Sequence, residues 1–278
     1  MRSALALLAL LSLTGCSAGV DEGGTSAAGL PVVPASAGHL HGMGVNPADG
    51  LLHLGTHSGT MVVEPDGVRR VGSATTDLMG FMVAGPDHFY SSGHPGPGED
   101  LSEPVGLLES TDGGESWSVL SRAGASDFHV VAADEGAVYA FDGVLVSSAD
   151  GREWAQAADI APASLAVHPD ESRTVVATTQ SGPVVSTDGA RSFTPVAGAP
   201  VVYLLSWPTA GALWAVDPEG RVHLSIDAGA SWDERGSVDG APQAFTASDA
   251  DTVWVATAEE VVRSIDGGRS FERVAERA

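Results

Sequence analysis

Histidines are unevenly spread along this 278-residue chain: seven of the nine lie before residue 130, as do Met43, Met61, Met79 and Met82. Five of these imidazoles, on His39, His41, His57, His94 and His129, converge with Asp77, Met79 and Asp127 once the strands are placed. Imidazole and thioether beside carboxylates form a ligand set for copper, or for zinc if Met79 stands outside it. Metal binds only neutral imidazole, so affinity is expected to fall as pH drops through roughly 6.5. Two other readings of the same residues stay open. The histidines can bond buried backbone in tight central strands, or they can line a pocket for an organic ligand. His53, His88, His168 and His223 are expected to be structural.

What positions these residues is a repeat. A turn of the form Ser-x-Asp-x-Gly-x-Ser-aromatic recurs with its Asp at Asp112, Asp150, Asp188, Asp227 and Asp266. The aromatics Trp117, Trp154, Phe193, Trp232 and Phe271 follow at steps of 37, 39, 39 and 39 residues. The copy at Ser148 is one residue short, and the copy at Ser186 has Ala190 in place of Gly. Asp caps backbone N–H groups, Gly supplies a positive φ, and the aromatic pins the turn to the sheet. A fixed period near forty residues is one supersecondary unit repeated around a ring. Between turns, short β-branched runs alternate with Gly, Pro and Asp breaks, and no 3.6 period is sustained. Residues 164–167, 174–178, 183–186 and 193–197 make one four-stranded unit. Residues 38–75 lack the Asp turn but keep four strands. The chain therefore predicts an all-β, six-bladed β-propeller with Asp-box turns over 38–278; a seventh blade would leave too short a repeat. Closure has two options: blade 6 keeps its own four strands, or residues 30–33 add an outer edge strand, where flanking prolines are tolerated.

Strand polarity then places the chemistry. The innermost strand of each blade starts at one face, here the top, and the second strand returns to it. The Asp turns accordingly lie underneath. His39 and His41 open the inner strand of blade 1, Asp77 and Met79 that of blade 2, and Asp127 and His129 that of blade 3. Residues i and i+2 point to one side of a strand. His57 and His94 end the second strands of blades 1 and 2 at the same mouth. The longest insertion, residues 94–104, is expected to project over it, and long loops on rigid scaffolds are often functional.

The Asp turns make the chain resemble the Asp-box propellers: bacterial neuraminidases, sortilin-type receptors and the photosystem II assembly factor of cyanobacteria and plastids. In these families the turn is structural, so the resemblance implies the fold. A narrower likeness covers the first half: His39-Leu-His41-Gly-Met43-Gly, Thr56-His57-Ser-Gly59, Met79-Gly80-Phe81-Met82, the run 91–98 and Asp127-Phe128-His129. It is similar to a group of bacterial secreted propellers commonly labelled glycosyl hydrolases. A glycosidase needs two carboxylates about 5 Å or about 7–9 Å apart. Asp77 and Asp127, with Asp142, Asp217 or Glu259 near the same face, are the candidates for such catalysis. A sialidase would need three clamping arginines, whereas Arg152, Arg191 and Arg269 belong to the turns below. Only Arg122 and Arg221 are placed to approach the top.

The chain's beginning points to export. Arg2 precedes an apolar run, residues 4–13, too short to span a bilayer, so 1–15 reads as a signal peptide. Leu13-Thr14-Gly15-Cys16 resembles the bacterial lipobox, which implies a lipidated Cys16 holding the protein on a membrane surface. Cys16 is the single cysteine, so no disulfide forms within the chain even in an oxidising compartment. Residues 16–37 are rich in Ala, Gly, Ser and Pro and read as a flexible tether. Net charge is −23 and all 13 basic residues are arginine, which repels nucleic acid and anionic headgroups and excludes nucleic acid as a partner. The expected molecule is a lipid-anchored, extracytoplasmic monomer that binds copper or zinc, a carbohydrate or another protein.

Overall fold

The computed structural model describes residues 24–27, 29–134 and 136–278. They form six sheets, one per blade of a β-propeller, each built on four consecutive antiparallel strands. Blade 1 runs Leu40–Val45, Leu52–Thr56, Gly59–Glu64 and Gly67–Arg70 from axis to rim. Blade 2 runs Asp77–Gly85, His88–His94, Leu107–Ser110 and Ser118–Ser121. The inner strands of blades 3 to 6 are Val130–Ala133, Leu165–His168, Leu204–Thr209 and Ala244–Ala247. They enclose a central channel of about 290 Å³.

Apolar clusters between neighbouring blades hold the ring together. Blades 5 and 6, for example, join through Trp214, Val216, Phe245 and Val255, all buried. Blades 2 and 3 join through Tyr90, Leu107, Phe128 and Val146. Such burial is the principal favourable term in folding.

The Asp turns take the geometry that their spacing demands. In the first, the Ser110 hydroxyl donates to Asp112 Oδ1 (2.8 Å) and accepts from the Gly114 N–H (2.9 Å). The Ser116 hydroxyl and amide both donate to the Asp112 carboxylate (2.6 and 2.9 Å). The turns at Asp188, Asp227 and Asp266 repeat this pattern. The Ser192 hydroxyl and amide hold the Asp188 carboxyl down at about 2. In the short copy, Asp150 instead accepts from the Arg152 amide (2.9 Å). Ala190 fills its glycine position with φ +60°. The Trp117 and Trp154 indoles donate to Thr60 and Ser121 of the preceding blades, stapling the ring.

Closure uses the second option. Val32–Val33 pairs in parallel with the outermost strand of blade 6, Glu272–Arg277, so that sheet has five strands. Ala35–Ala37 then makes one 3-10 turn into blade 1. The ring thus takes up the last residues of the stretch read as a tether, and the fold begins before residue 38. The expected signal peptide, residues 1–15, and Cys16 lie outside the described residues. Among those described, no helix is long and apolar enough to cross a membrane.

Candidate functional site

The mouth histidines, His39, His41, His57, His94 and His129, and the Asp turns occupy opposite ends of the ring. The Asp turns bond to the loops joining first and second strands, as Gly113 N–H to the Asp87 carbonyl (2.9 Å) shows in blade 2. The other end of blade 2 is closed by the pairing Asp77↔His94, and that of blade 1 by Leu40↔Thr56.

Two glycines let the inner strands meet closely there. A Cβ on Gly42 would lie 2.2 Å from the Phe81 carbonyl oxygen, and one on Gly80, whose φ is +54°, 2.3 Å from that of Phe128. Both distances are far inside van der Waals contact, so only hydrogen fits. Short side chains at these points draw blades 1, 2 and 3 together beneath the mouth. A β-bulge between Leu40 and Gly42 lies at His41, which lines the channel.

The first group forms across blades 1 and 2. His41 Nε2 lies 3.9 Å from Asp77 Oδ1, and His57 Nδ1 lies 3.4 Å from Asp77 Oδ2. One ligand atom from each of the three falls within 4.8 Å of the others. His41 and His57 rings are 4.6 Å apart, and exposed His39 packs over them at 5.5 Å from His57. His41 Nε2 and Asp77 Oδ1 are both buried without a hydrogen-bond partner. Burial, then the neighbouring His57, holds His41 down at about 4 against the opposing pull of Asp77. Its imidazole therefore stays neutral, with a lone pair available, through the physiological range.

The second group forms across blades 2 and 3. His94 Nε2 lies 3.2 Å from Asp127 Oδ2, and His129 Nε2 lies 3.6 Å from the same oxygen. His94 Nδ1 meets Glu103 Oε1 at 2.5 Å. The Glu103 hydrogen bond raises the His94 pKa, with Asp127 adding to the effect. Glu103 comes from the long loop, which reaches the mouth as its length suggested. Glu99 pins that loop by accepting from the Thr75 amide (2.7 Å), the Thr76 hydroxyl (2.7 Å) and the Gly96 amide (2.8 Å).

Met79 pairs with Ser92, two residues along the strand from Asp77, and is not among the residues that line the channel. A register shift between Met79 and Met82 puts Gly80, Phe81 and Met82 on the channel wall at that level. Glu103 escaped notice as a site residue; its one signal was its place in the insertion that starts at His94. The remaining histidines have local partners. His53 meets Asp49 at 2.9 Å, His88 meets Glu109 at 3.0 Å, and His168 accepts from the Asp170 amide. His223 lies 3.5 Å from buried Asp217, whose Oδ2 also accepts from Arg221 at 2.6 Å. That pair occupies Arg221, and the Arg122 guanidinium donates to Ser126.

No family model and no curated protein matches the sequence. Solved structures do match in fold. The GH74 enzyme of Niastella koreensis aligns with a TM-score of 0.59 at 14% identity, over 91% of this chain and 46% of that one. A gluconolactonase from Xanthomonas campestris aligns with a TM-score of 0.58 at 15% identity, over 90% and 93%. YCF48 bound to D1 peptide aligns with a TM-score of 0.52 at 17% identity, over 88% and 87%. The chain spans about half the length of the GH74 enzyme. At these identities the likeness is one of fold, which enzymes and a peptide-bound protein share.

Proposed function

We propose that this protein is a lipid-anchored, extracytoplasmic β-propeller that binds a transition-metal ion, copper or zinc, at the channel mouth through His41, His57 and Asp77. One observation carries the reading: His41 Nε2 and Asp77 Oδ1, both buried and unpartnered, lie 3.9 Å apart, with His57 beside the same carboxylate. A buried imidazole nitrogen and a buried carboxylate oxygen that lack hydrogen-bond partners are unfavourable, and a cation between them would satisfy both. Ligands about 2.0–2.2 Å from a tetrahedral zinc stand roughly 3.3–3.5 Å from one another. One ligand atom from each of the three residues lies within 4.8 Å of the others, so side-chain shifts of about 1 Å would bring them to that spacing. His39 overhangs the group and supplies a further imidazole at the solvent side. The anchor rests on the lipobox-like residues ending at Cys16.

The test is a titration of the full chain with Zn(II), Cu(II) and Cu(I), read by competition with a chromophoric chelator. Micromolar or tighter binding is expected, reduced at least tenfold in His41→Ala and in Asp77→Asn and unchanged in His168→Ala. Binding that survives alanine at His39, His41, His57, His94 and His129 together refutes the proposal. The competing reading is a glycoside hydrolase that uses Asp77 and Asp127, which flank the same mouth. It predicts loss of turnover in Asp77→Asn or Asp127→Asn with no dependence on metal.

A further inference from the structure

The donors of the mouth gather where blade 6 meets blade 1. Gln243 precedes the inner strand of blade 6 and lines the channel together with His41. Arg277 Nη1 donates to Gln243 Oε1 at 2.5 Å. A guanidinium only donates, so the oxygen end of the amide must face it and the Nε2 end must turn away. Gln243 is only partly buried, and among the described residues its Nε2 has no partner, so two N–H donors are open there. Arg277 also donates to the Thr257 carbonyl and, at 2.9 Å, to the Gly38 carbonyl. It pairs with no carboxylate among the described residues, and burial pulls its pKa down unopposed. A Cβ at Gly38 would lie 3.3 Å from His57 Cβ, so this uncompensated charge stands beside the His57 side of the mouth. The acids that flank the histidines, Asp77, Asp127 and Glu103, come instead from blades 2 and 3 and the long loop.

Blade 4 adds a hydroxyl at nearly the same depth. The Ala163 and Gln243 amides donate to the Thr178 and Ala256 carbonyls at the heads of their second strands, which sets both residues on one rung. Ser164 is a single step below that rung, about 3.4 Å. It lines the channel, and its Oγ accepts from the Leu205 amide of blade 5 at 3.1 Å. The Ser164 O–H itself has no acceptor among the described residues. Zinc held by three protein ligands keeps a further position for water or a bound molecule. That position can be reached from the channel, where His41 stands. A ligand entering there meets a metal cation, amide donors backed by a guanidinium, and a hydroxyl donor, all of which call for oxygen acceptors. At about 290 Å³ the channel is at the small end of ligand cavities, which suits a molecule of a few carbons.

We infer that the channel mouth binds a small hydroxycarboxylate, its carboxylate shared between the metal and the Gln243 amide and its hydroxyl accepting from Ser164. This rests on the metal reading proposed above and names the class of ligand that the site takes. Arg277 is a positioning residue: it fixes which end of the Gln243 amide faces the channel, and its charge favours an anion. A neutral diol would forgo the attraction of both cations.

The experiment loads the full chain with Zn(II), counts the bound metal by elemental analysis, and titrates three probes followed by ligand-observed NMR. The probes are 3-hydroxypropionate, propionate and 1,3-propanediol. Millimolar or tighter binding of 3-hydroxypropionate is expected, at least tenfold tighter than the diol and about fivefold tighter than propionate, as one hydrogen bond would give. Gln243→Glu keeps an oxygen for Arg277 but replaces the amide donors with a second carboxylate oxygen. It should lower 3-hydroxypropionate affinity at least tenfold without weakening Zn(II). Arg277→Gln, which frees the amide to turn, should act in the same direction, again with Zn(II) retained. Ser164→Ala should erase the preference over propionate while propionate still binds. Zinc bound with no 3-hydroxypropionate binding overturns the ligand class and leaves the metal site standing. So does equal binding of the diol, or an affinity unmoved in Gln243→Glu. No bound zinc at all removes the metal reading and this inference with it.

Discussion

Replacing Gly42 by alanine tests the packing that assembles the mouth. The new Cβ would lie 2.2 Å from the Phe81 carbonyl oxygen and 3.1 Å from the Phe81 Cβ. Carbon and oxygen tolerate about 3.3 Å, so the inner strands of blades 1 and 2 must part by about 1 Å. A gap of that size forfeits up to about half of each dispersion contact across it. The junction so opened packs Leu78, Phe81, Phe89 and Leu108, all buried. Overpacking costs typically about 1–3 kcal/mol, and a clash with backbone belongs at the upper end, about 3 kcal/mol. For a domain of this size, each kcal/mol lowers Tm by about 2–4 °C, which gives a drop of about 6–12 °C. Gly85→Ala is the matched control, because nothing lies within 4 Å of its Cβ position; its Tm should move by less than about 2 °C. Thermal unfolding followed by circular dichroism reads both. Zn(II) affinity of Gly42→Ala should also fall at least tenfold, since His41 moves with its neighbour. A Gly42→Ala protein that melts within about 2 °C of the wild type would falsify the close approach of the two strands.

Other outcomes follow from the same geometry. His41, held at about 4 in the folded state, stays neutral while the unfolded chain takes up a proton. Its contribution makes metal-free stability decline as pH falls from about 6.5 toward 4, then level off. Tm measured across that window should slope less in His41→Asn than in the wild type; equal slopes would remove the assignment. His94 has the opposite sign: its raised pKa adds stability that is complete below about pH 6.5 and is lost as pH rises through the folded value. His94→Gln should therefore lose more Tm at pH 5.5 than at pH 8.5. Asp188→Ala removes the hub of a turn on the far face and should lower Tm with Zn(II) affinity unchanged; altered affinity would mean that the two faces are coupled. Cys16→Ser should release the protein from membranes, and equal retention of the variant in the membrane fraction would remove the lipid anchor.

The ring was readable because its repeat is written in residue types that have one local use. Ser, Asp, Gly and an aromatic at set offsets close the same turn wherever they occur, and strand polarity follows from their order. That polarity alone places His41, His57, His94 and His129 at one mouth. The details that escaped are those in which a strand departs from strict alternation. Bulges near His41 and Met79 shift the register by a residue. In blade 2 the shift comes after Met79, so simple alternation from Asp77 does not carry past that residue. Glu103 went unnoticed because a loop's return to the mouth is set by Glu99, bonded to Thr75 and Thr76 twenty-odd residues earlier. No period or alternation encodes such a contact. The choice between closures was equally hidden, since Val32–Val33 is only two residues long.

That two-residue closure makes the rim a mechanical fuse. The four core strands of each blade are one unbroken run of chain, and only the outer edge of blade 6 borrows a strand from the N-terminal segment. Past the Thr25↔Pro31 bridge, a pull on that segment reaches the two residue pairs Val32↔Glu276 and Val33↔Arg277. They can peel while blade 6 keeps its other four strands and the seam stays latched from within. The latch is Arg277, whose guanidinium donates to the Gly38 carbonyl (2.9 Å) on one side of the seam and to Gln243 and Thr257 on the other. Load arriving along the tether would thus be spent at the periphery, and the histidines at the axis would hold their spacing while the edge frays.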